Sequence, residues 1–466
     1  MPRVVIIGGG PAGYEAALVA AQLGAEVTVV EAEGAGGACV LSDCVPSKTF
    51  IASSGVVTEF RHGASLGVRM DAAASATLDG ATVHARVKRL ALAQSADIAA
   101  KLAKAGVELV LGRARLGSDT LGHTHQVVVE PHDGSRYTVD ADTVLIATGA
   151  TPRVLPDARP DGERILTWRD VYDLPDLPER PIVVGSGVTG AEFASAYLAA
   201  GVDVTLVSSR DRVMPHEDAD AAAVIEKVFR SRGMTILSNS RAQSVRAVAD
   251  GVVVTLTDGR EVEGSHALMA VGSVPNTANL GLAEYGVELQ PNGAIKVDRV
   301  SRTNIPGIYA AGDCTGLLAL ASVAAMQGRI AMWHALGEAV APLRLSTVAA
   351  NVFTDPELAT VGVSQADVDS GKVPGRTLTL PLSGNARAKM ADIEDGFVKL
   401  FCRPASGLIM GGVVVAPKAS ELILPIAMAV TNHLTVDQLA HTITIYPSLS
   451  GSITEAARQL MQHELD

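Results

Sequence analysis

Aromatic residues are scarce, at 3% of 466 positions. A chain that stacks on nucleic-acid bases needs such rings, so that theme is excluded. Cationic residues are also in deficit. Lys and Arg total 38 against 50 Asp and Glu, a net charge of −12, whereas nucleic acid and anionic membranes reward the opposite balance. Four cysteines are too few for a disulfide scaffold. No uncharged apolar run reaches the ~18 residues that a spanning helix needs. The richest stretch, residues 411–430, is interrupted by Lys418 and Glu421. The first residues lack the apolar core and small-residue cleavage site of a secretory signal. A cytoplasmic protein with no nucleic-acid partner and no integral membrane segment is expected.

What is present is ordinary globular composition, 48% hydrophobic and 19% charged, in a chain long enough for about three domains. Residues 4–7 are aliphatic throughout, as in a strand covered on both faces. Gly8-Gly9-Gly10-Pro11-Ala12-Gly13 follows, then an Ala-rich helical stretch to Leu23, a strand over 27–30, and Glu31 at its end. This is the dinucleotide-binding pattern. Gly8 makes the tight turn, Gly10 lets the backbone approach a pyrophosphate, and Gly13 lets helix pack on strand. The phosphates sit at a helix N-terminus, and Glu31 accepts from ribose hydroxyls.

The pattern recurs. Residues 181–184 lead into Gly185-Ser186-Gly187-Val188-Thr189-Gly190, an Ala-rich helix and a strand over 204–207. At the offset from Gly185 that Glu31 has from Gly8 stands Ser208, followed by Ser209 and Arg210, with Arg212 just beyond. A carboxylate repels a 2′-phosphate, whereas hydroxyls and a guanidinium hold it, so this second site is expected to take NADPH. The alternative reading of Arg210 and Arg212 is a solvated turn. Two dinucleotide folds in one chain imply a bound redox cofactor, an exchangeable nicotinamide and a hydride relay between them.

Between the two folds lies Gly36-Gly37-Ala38-Cys39-Val40-Leu41-Ser42-Asp43-Cys44-Val45-Pro46-Ser47-Lys48. Further on come Ala147-Thr148-Gly149, Ala311-Gly312-Asp313, Val352-Phe353-Thr354 with Pro356-Glu357, and Ala419-Ser420-Glu421. In this order they resemble the flavoprotein disulfide reductases, the family of lipoamide dehydrogenase and glutathione reductase, over nearly the whole chain. The resemblance implies an α/β fold with two Rossmann-like dinucleotide-binding domains, for FAD and NAD(P), plus a C-terminal α+β dimerisation domain. The FAD domain is expected over 1–155 and 275–345, the NAD(P) domain over 156–274, and the dimerisation domain over 346–466. A homodimer is implied, with a tetramer as its symmetric doubling.

The resemblance also assigns residues. Gly8, Gly10, Gly13, Glu31, Gly37, Lys48, Thr148, Gly149, Gly312, Asp313 and Ala321 fall to FAD, with Asp313 on the ribityl chain. Gly185, Gly187, Gly190, Ser208, Ser209, Arg210 and Gly272 fall to the nicotinamide nucleotide. Lys48 and Glu192 match an ion pair beside the flavin position that receives hydride, where a buried ammonium stabilises negative charge. The plain alternative for Glu192 is a solvent-facing helical residue. Cys44 matches the thiol that touches the flavin and Cys39 the thiol that exchanges with substrate. Two inert buried thiols are the alternative. Five helical positions rise about 7.5 Å, while disulfide Cα atoms rarely exceed ~7 Å, so a Cys39–Cys44 bridge requires a distorted helix start. Cys314 and Cys402 have no such context.

The pattern breaks near the C-terminus. Disulfide reductases carry His-Pro-Thr there, followed by Glu, as the acid–base pair for thiol exchange. Here the segment reads Tyr446-Pro447-Ser448-Leu449-Ser450-Gly451, so both members are gone. Phenols titrate near ~10 and imidazoles near ~6.5, which makes a phenol a poor shuttle at neutral pH. General acid–base help contributes about 10² to 10⁴ in rate. The chain looks like the branch of lipoamide-dehydrogenase-like NAD(P)H:quinone reductases, passing hydride to FAD and on to a quinone. The alternatives are a disulfide reductase such as dihydrolipoamide dehydrogenase, working through Cys39 and Cys44, a pyridine nucleotide transhydrogenase, or a flavin-containing interaction protein. Retention of both cysteines leaves a pair that can store two electrons.

Overall fold

Four aliphatic side chains in succession, residues 4–7, are buried on both faces because their strand, Arg3–Ile7, lies inside a sheet. In this computed structural model, which describes residues 1–69, 76–117 and 124–461, the chain falls into two compact units. The first unit joins Met1–Thr49, His84–Arg153 and Gly272–Arg344. Its sheet runs in the order Ile308–Ala310, Thr143–Ile146, Arg3–Ile7, Glu26–Glu31, Glu108–Leu116, His125–Pro131, Tyr137–Ala141. The first five strands are parallel, and the last two pairings, of Glu108–Leu116 with His125–Pro131 and of that strand with Tyr137–Ala141, are antiparallel. Helices Pro11–Gln22 and Ala321–Ala335 pack closely, and Gly328 permits it, since a Cβ there would collide with the Ala12 carbonyl.

The second unit comprises Phe50–Val83, Val154–Val271 and Leu345–Asp466. One of its sheets is parallel, in the order Thr235–Leu237, Thr205–Val207, Pro181–Val184, His266–Met269, Ile165–Leu166. Another is antiparallel, in the order Ala349–Val352, Glu357–Gly362, Ile409–Ala416, Phe397–Cys402, Arg376–Pro381, with helices Ala419–Thr431 and Gly451–Leu460 in its core cluster. The two dinucleotide patterns thus build the two parallel sheets, within a residue of the expected strand ends.

A buried cation ties the second unit together. Lys399 on strand Phe397–Cys402 is 1% exposed, and its Nζ lies 2.8 Å from Asp218 and 2.7 Å from Asp220. Asp218 also caps helix Ala219–Ser231, accepting from the Asp220 and Ala221 N–H groups. Removing one partner of a buried pair costs about 3–5 kcal/mol, because the other charge is stranded. Asp220 is 65% exposed, so its share is within about 1 kcal/mol. Lys399 and Asp218 therefore carry the join.

His125 begins a strand of the first unit and is buried. Its Nε2 lies 3.0 Å from the Pro306 carbonyl. That acceptor places the proton on Nε2, and Nδ1 is buried with no partner among the described residues. Burial lowers the pKa of the ring, with the Pro306 carbonyl opposing. The unfolded chain then takes up the second proton before the folded chain does. Stability contributed by the neutral ring is present above the unfolded value of ~6.5 and is lost as pH falls below it. The thermal unfolding midpoint is expected to drop between pH ~7 and ~5.5, and less so in His125→Gln. An equal drop in both proteins, followed by circular dichroism, removes His125 as the cause.

Candidate functional site

In each dinucleotide fold the three glycines are needed for different reasons. Gly8 has φ +108° and Gly185 φ +111°. A Cβ on Gly8 would strike the Ala147 carbonyl, and one on Gly185 the Ala270 carbonyl. Gly13 and Gly190 lie against the carbonyls of Gly8 and Gly185, again with no room for a Cβ. The middle glycines differ. A Cβ on Gly10 would meet only the Gly36 carbonyl, at 3.9 Å, and one on Gly187 would meet nothing within 4 Å. Open space above the middle glycine is what an approaching pyrophosphate requires. Both helices that follow, Pro11–Gln22 and Val188–Ala200, begin without a side-chain cap, which leaves their first N–H groups for an anion.

The rest of the first cradle suits an adenine dinucleotide flavin. Glu31 is buried at its strand end, accepting from the N–H groups of Gly9 and Glu33. Thr148 donates to the Asn276 carbonyl at 2.6 Å, and the Asn276 amide returns a bond to the Thr148 carbonyl at 2.9 Å. Gly149 has φ +67° and open space. Gly312 donates to the Gln327 side chain at 2.9 Å, and burial raises the pKa of the neighbouring Asp313 carboxyl. Ala321 opens helix Ala321–Ala335, also without a side-chain cap. The sequence reading missed Asn276 and Gln327. A glutamine inside an Ala-rich helix was the available signal for the second. Gly9 was missed as well, although its N–H orients Glu31.

At the second cradle Ser208 is fully buried. Its hydroxyl lies 2.7 Å from that of Ser186 and accepts from the Arg210 N–H at 3.2 Å, so it shapes the turn. Ser209 and Arg210 are exposed. Arg212 donates to the Pro215 carbonyl at 3.1 Å, which makes it a loop brace. Gly272, in the first unit, accepts from the Arg153 N–H through its carbonyl at 2.9 Å and has open space at φ +91°.

Cys39 and Cys44 are both free thiols, and Cys39 lies near enough to act on the Cys44 thiol. The helix between them is interrupted. Helix Gly37–Leu41 begins from left-handed Gly36 and Gly37 and stops at Ser42, and helix Cys44–His62 starts afresh. The Asp43 N–H reaches back to the Ala38 carbonyl at 2.8 Å. This break removes the long rise of a continuous helix. The Cys44 thiol is pushed well above the usual range, first by its hydrogen bond with Cys39, then by burial and by Asp43, with Lys48 opposing. Neither thiol is fully buried. Cys314 differs: burial pushes it up to about 11, and its Sγ donates to the Ala311 carbonyl at 3.3 Å.

Lys48 lies half-buried on helix Cys44–His62. Glu192, in the second unit, is buried on helix Val188–Ala200 and accepts from the Phe353 N–H at 2.9 Å. Tyr446 is 84% exposed. Gly451 donates its N–H to the Ser448 hydroxyl at 3.1 Å. Nearby His441 bonds through Nδ1 to the Asp437 carbonyl at 2.7 Å. Among the described residues no group of His, Cys, Asp and Glu forms a metal site.

Residues 2–328 match the family model described as pyridine nucleotide-disulphide oxidoreductase, and residues 348–457 match that family's dimerisation domain. The chain is 61% identical, over 99% of its length and 94% of the relative, to a Mycobacterium tuberculosis protein named NAD(P)H dehydrogenase (quinone). It is 32% identical to a dihydrolipoyl dehydrogenase of Zymomonas mobilis, over 97% of this chain and 96% of that one. The crystal structure of LpdA from Mycobacterium tuberculosis superposes with a TM-score of 0.95 at 60% identity, covering 99% of this chain and 100% of that one.

Gly13→Ala is expected to abolish flavin retention, since the new methyl collides with backbone that has no freedom to move. The absorbance ratio of flavin to protein after purification measures it. Full retention overturns the role given to this glycine.

Proposed function

Because this chain belongs to the pyridine nucleotide-disulphide oxidoreductase family, we propose that it delivers electrons from NAD(P)H to a quinone-type acceptor. It is a flavoprotein oxidoreductase of a family that uses FAD and NAD(P)H. FAD, when bound, supplies the two-electron carrier between nicotinamide and acceptor. Overall, NAD(P)H, one proton and a quinone give NAD(P)⁺ and a hydroquinone.

The observation that carries the acceptor is the C-terminal loop. Where thiol exchange needs a histidine held by a carboxylate, it presents an exposed phenol, Tyr446, and a glycine, Gly451. Gly451 has no side chain with which to orient a base, and His441 is engaged on a backbone carbonyl. Without that pair, thiol exchange forfeits about 10² to 10⁴ in rate, whereas reducing a quinone needs no thiol proton. The name of the 61% identical relative supports the same acceptor.

In this reading Gly10, Gly13 and the helix they open hold the pyrophosphate of FAD, Glu31 its ribose, and Asp313 the ribityl chain. Gly185, Gly187 and Gly190 do the same for the nicotinamide nucleotide. Lys48 stabilises negative charge where hydride arrives. The protein acts as a cytoplasmic homodimer, its C-terminal domain being the family's dimerisation domain. A second reading rests on the neighbouring thiols Cys39 and Cys44, which suit lipoamide or another disulfide.

Initial rates of NADPH oxidation with a benzoquinone and with lipoamide, at matched concentrations, separate the two. Quinone turnover is expected to exceed lipoamide turnover by about 10² or more and to survive Cys39→Ser. Brisk lipoamide reduction that disappears in Cys39→Ser sinks the quinone reading. A nucleotide test follows from the second cradle. Of the residues after its strand, Ser209 and Arg210 stand exposed while Ser208 and Arg212 are occupied. Arg210→Glu is expected to lower kcat/KM for NADPH at least roughly tenfold, the loss of a charge-assisted bond, while that for NADH changes little. Equal losses for both nucleotides assign Arg210 to the turn.

A further inference from the structure

The two dinucleotide cradles correspond residue by residue, and one pair breaks the match. In the first cradle Gly9 donates its N–H to the Glu31 carboxylate, and Glu33 donates to the same carboxylate at 2.8 Å. In the second cradle Ser186, Ser208 and Arg210 hold the equivalent places. Gly9 and Glu31 are 22 residues apart, as are Ser186 and Ser208. The Arg210 N–H reaches the Ser208 hydroxyl at 3.2 Å, as the Glu33 N–H reaches Glu31. The difference is that position 186 carries a side chain and position 9 carries none.

That side chain and an acid exclude each other. A Cβ on Gly9 would lie 3.0 Å from the Glu31 Cβ, 3.1 Å from its Cγ and 3.2 Å from its Oε2, the carbons well inside the usual contact distance. In the second cradle residue 208 is short, and the hydroxyls of Ser186 and Ser208 meet at 2.7 Å, both buried. Ser208 gives its one proton to a backbone carbonyl, that of Arg210 at 3.1 Å or of Arg212 at 3.3 Å, so the Ser186 hydroxyl is the donor between the two. Ser208 then accepts from Ser186 and from the Arg210 N–H, which exhausts a hydroxyl and leaves nothing for a ribose. Neither residue can withdraw. The Ser186 carbonyl accepts at 2.7 Å from the N–H of Met214, a buried residue held at φ +48°. The Ser208 main chain is bonded to the Leu237 carbonyl at 2.9 Å and to the Ser240 N–H at 2.7 Å.

We propose that Ser186 is a specificity-determining residue of the nucleotide site. Its side chain, locked to Ser208, fills the space that a ribose-gripping carboxylate needs. This disfavours NADH and leaves recognition to the 2′-phosphate, outside the pair. An acid at position 208 therefore serves NADH only when position 186 is glycine, the combination found in the first cradle. The inference rests on the reading of the second cradle as the nicotinamide nucleotide's site and is independent of the acceptor.

The test titrates FAD-loaded enzyme with NAD⁺ and with NADP⁺ by calorimetry, which needs no turnover. Ser208→Glu, Ser186→Gly and the double variant are compared with the unaltered protein. Ser208→Glu is expected to bind NADP⁺ roughly tenfold more weakly or worse, since a carboxylate repels the 2′-phosphate, with no gain for NAD⁺. Its thermal midpoint is expected to fall, because the new carboxylate is forced against Ser186. Adding Ser186→Gly is expected to raise NAD⁺ affinity at least about tenfold over Ser208→Glu and to recover the midpoint, a coupling that independent sites do not show. Where Ser208→Glu does not accumulate, the flavin-to-protein ratio of the double variant decides: rescue is the expected result, and its absence overturns the proposal. An NAD⁺ gain as large in Ser208→Glu as in the double variant also overturns it, as does no gain in a folded double variant. Unaltered enzyme that binds neither nucleotide instead removes the reading of the second cradle, and the proposal with it.

Discussion

The constraint on which the rest depends is the contact of one glycine with the carbonyl of another: Gly13 against Gly8, and Gly190 against Gly185. A strand that ends under a helix at this separation leaves no volume for even one methyl group. The reward is geometric. The helix start is brought to the strand end, its unpaired N–H groups gather at one point, and the middle glycine is left facing open space. An anion held there pays for the uncapped helix ends. Both folds repeat the device with the same neighbours, down to the carbonyls of Ala147 and Ala270.

The dithiol is built outward from the first of these turns. Gly36 bonds to Gly9, Gly37 sits on Gly10, and their left-handed backbone starts a helix that ends after Leu41. Cys39 and Cys44 come together only because that helix is broken at Ser42 and Asp43. The same packing brings Tyr14 into the cluster that holds Val40 and Val45. The turn, the thiol pair and the packing of Tyr14 are consequences of one local arrangement.

The C-terminal loop makes the contrast. In the single chain Tyr446 is exposed, and Gly451 begins helix Gly451–Leu460. A family fold with Tyr446 and Gly451 in place of the acid–base pair favours acceptors that need no thiol exchange. The Lys399–Asp218 pair shows where stability rather than chemistry is served, since it joins a helix cap to the antiparallel sheet far along the chain.

Glycine spacing and aliphatic runs were enough to locate both nucleotide folds and the strands at 4–7, 27–30 and 181–184, because backbone close approach leaves a mark that no other residue type can carry. The motif around Cys39 and Cys44 was legible only through its likeness to the family's redox-active segment. Side-chain commitments were not. Ser208 and Arg212 look like phosphate ligands in order along the chain, yet in space one hydroxyl holds its own turn and one guanidinium braces its loop, leaving Ser209 and Arg210 outside. Glu192 could be a surface residue by position and is buried. Asn276, Gln327 and Tyr14 acquired their places from contacts made across long stretches of sequence. The sequence by itself determined the local backbone geometry, since steric exclusion acts between near neighbours. Only the tertiary structure decided which polar groups are already satisfied and which remain to meet a ligand, because hydrogen-bond partners and burial come from residues distant in the chain.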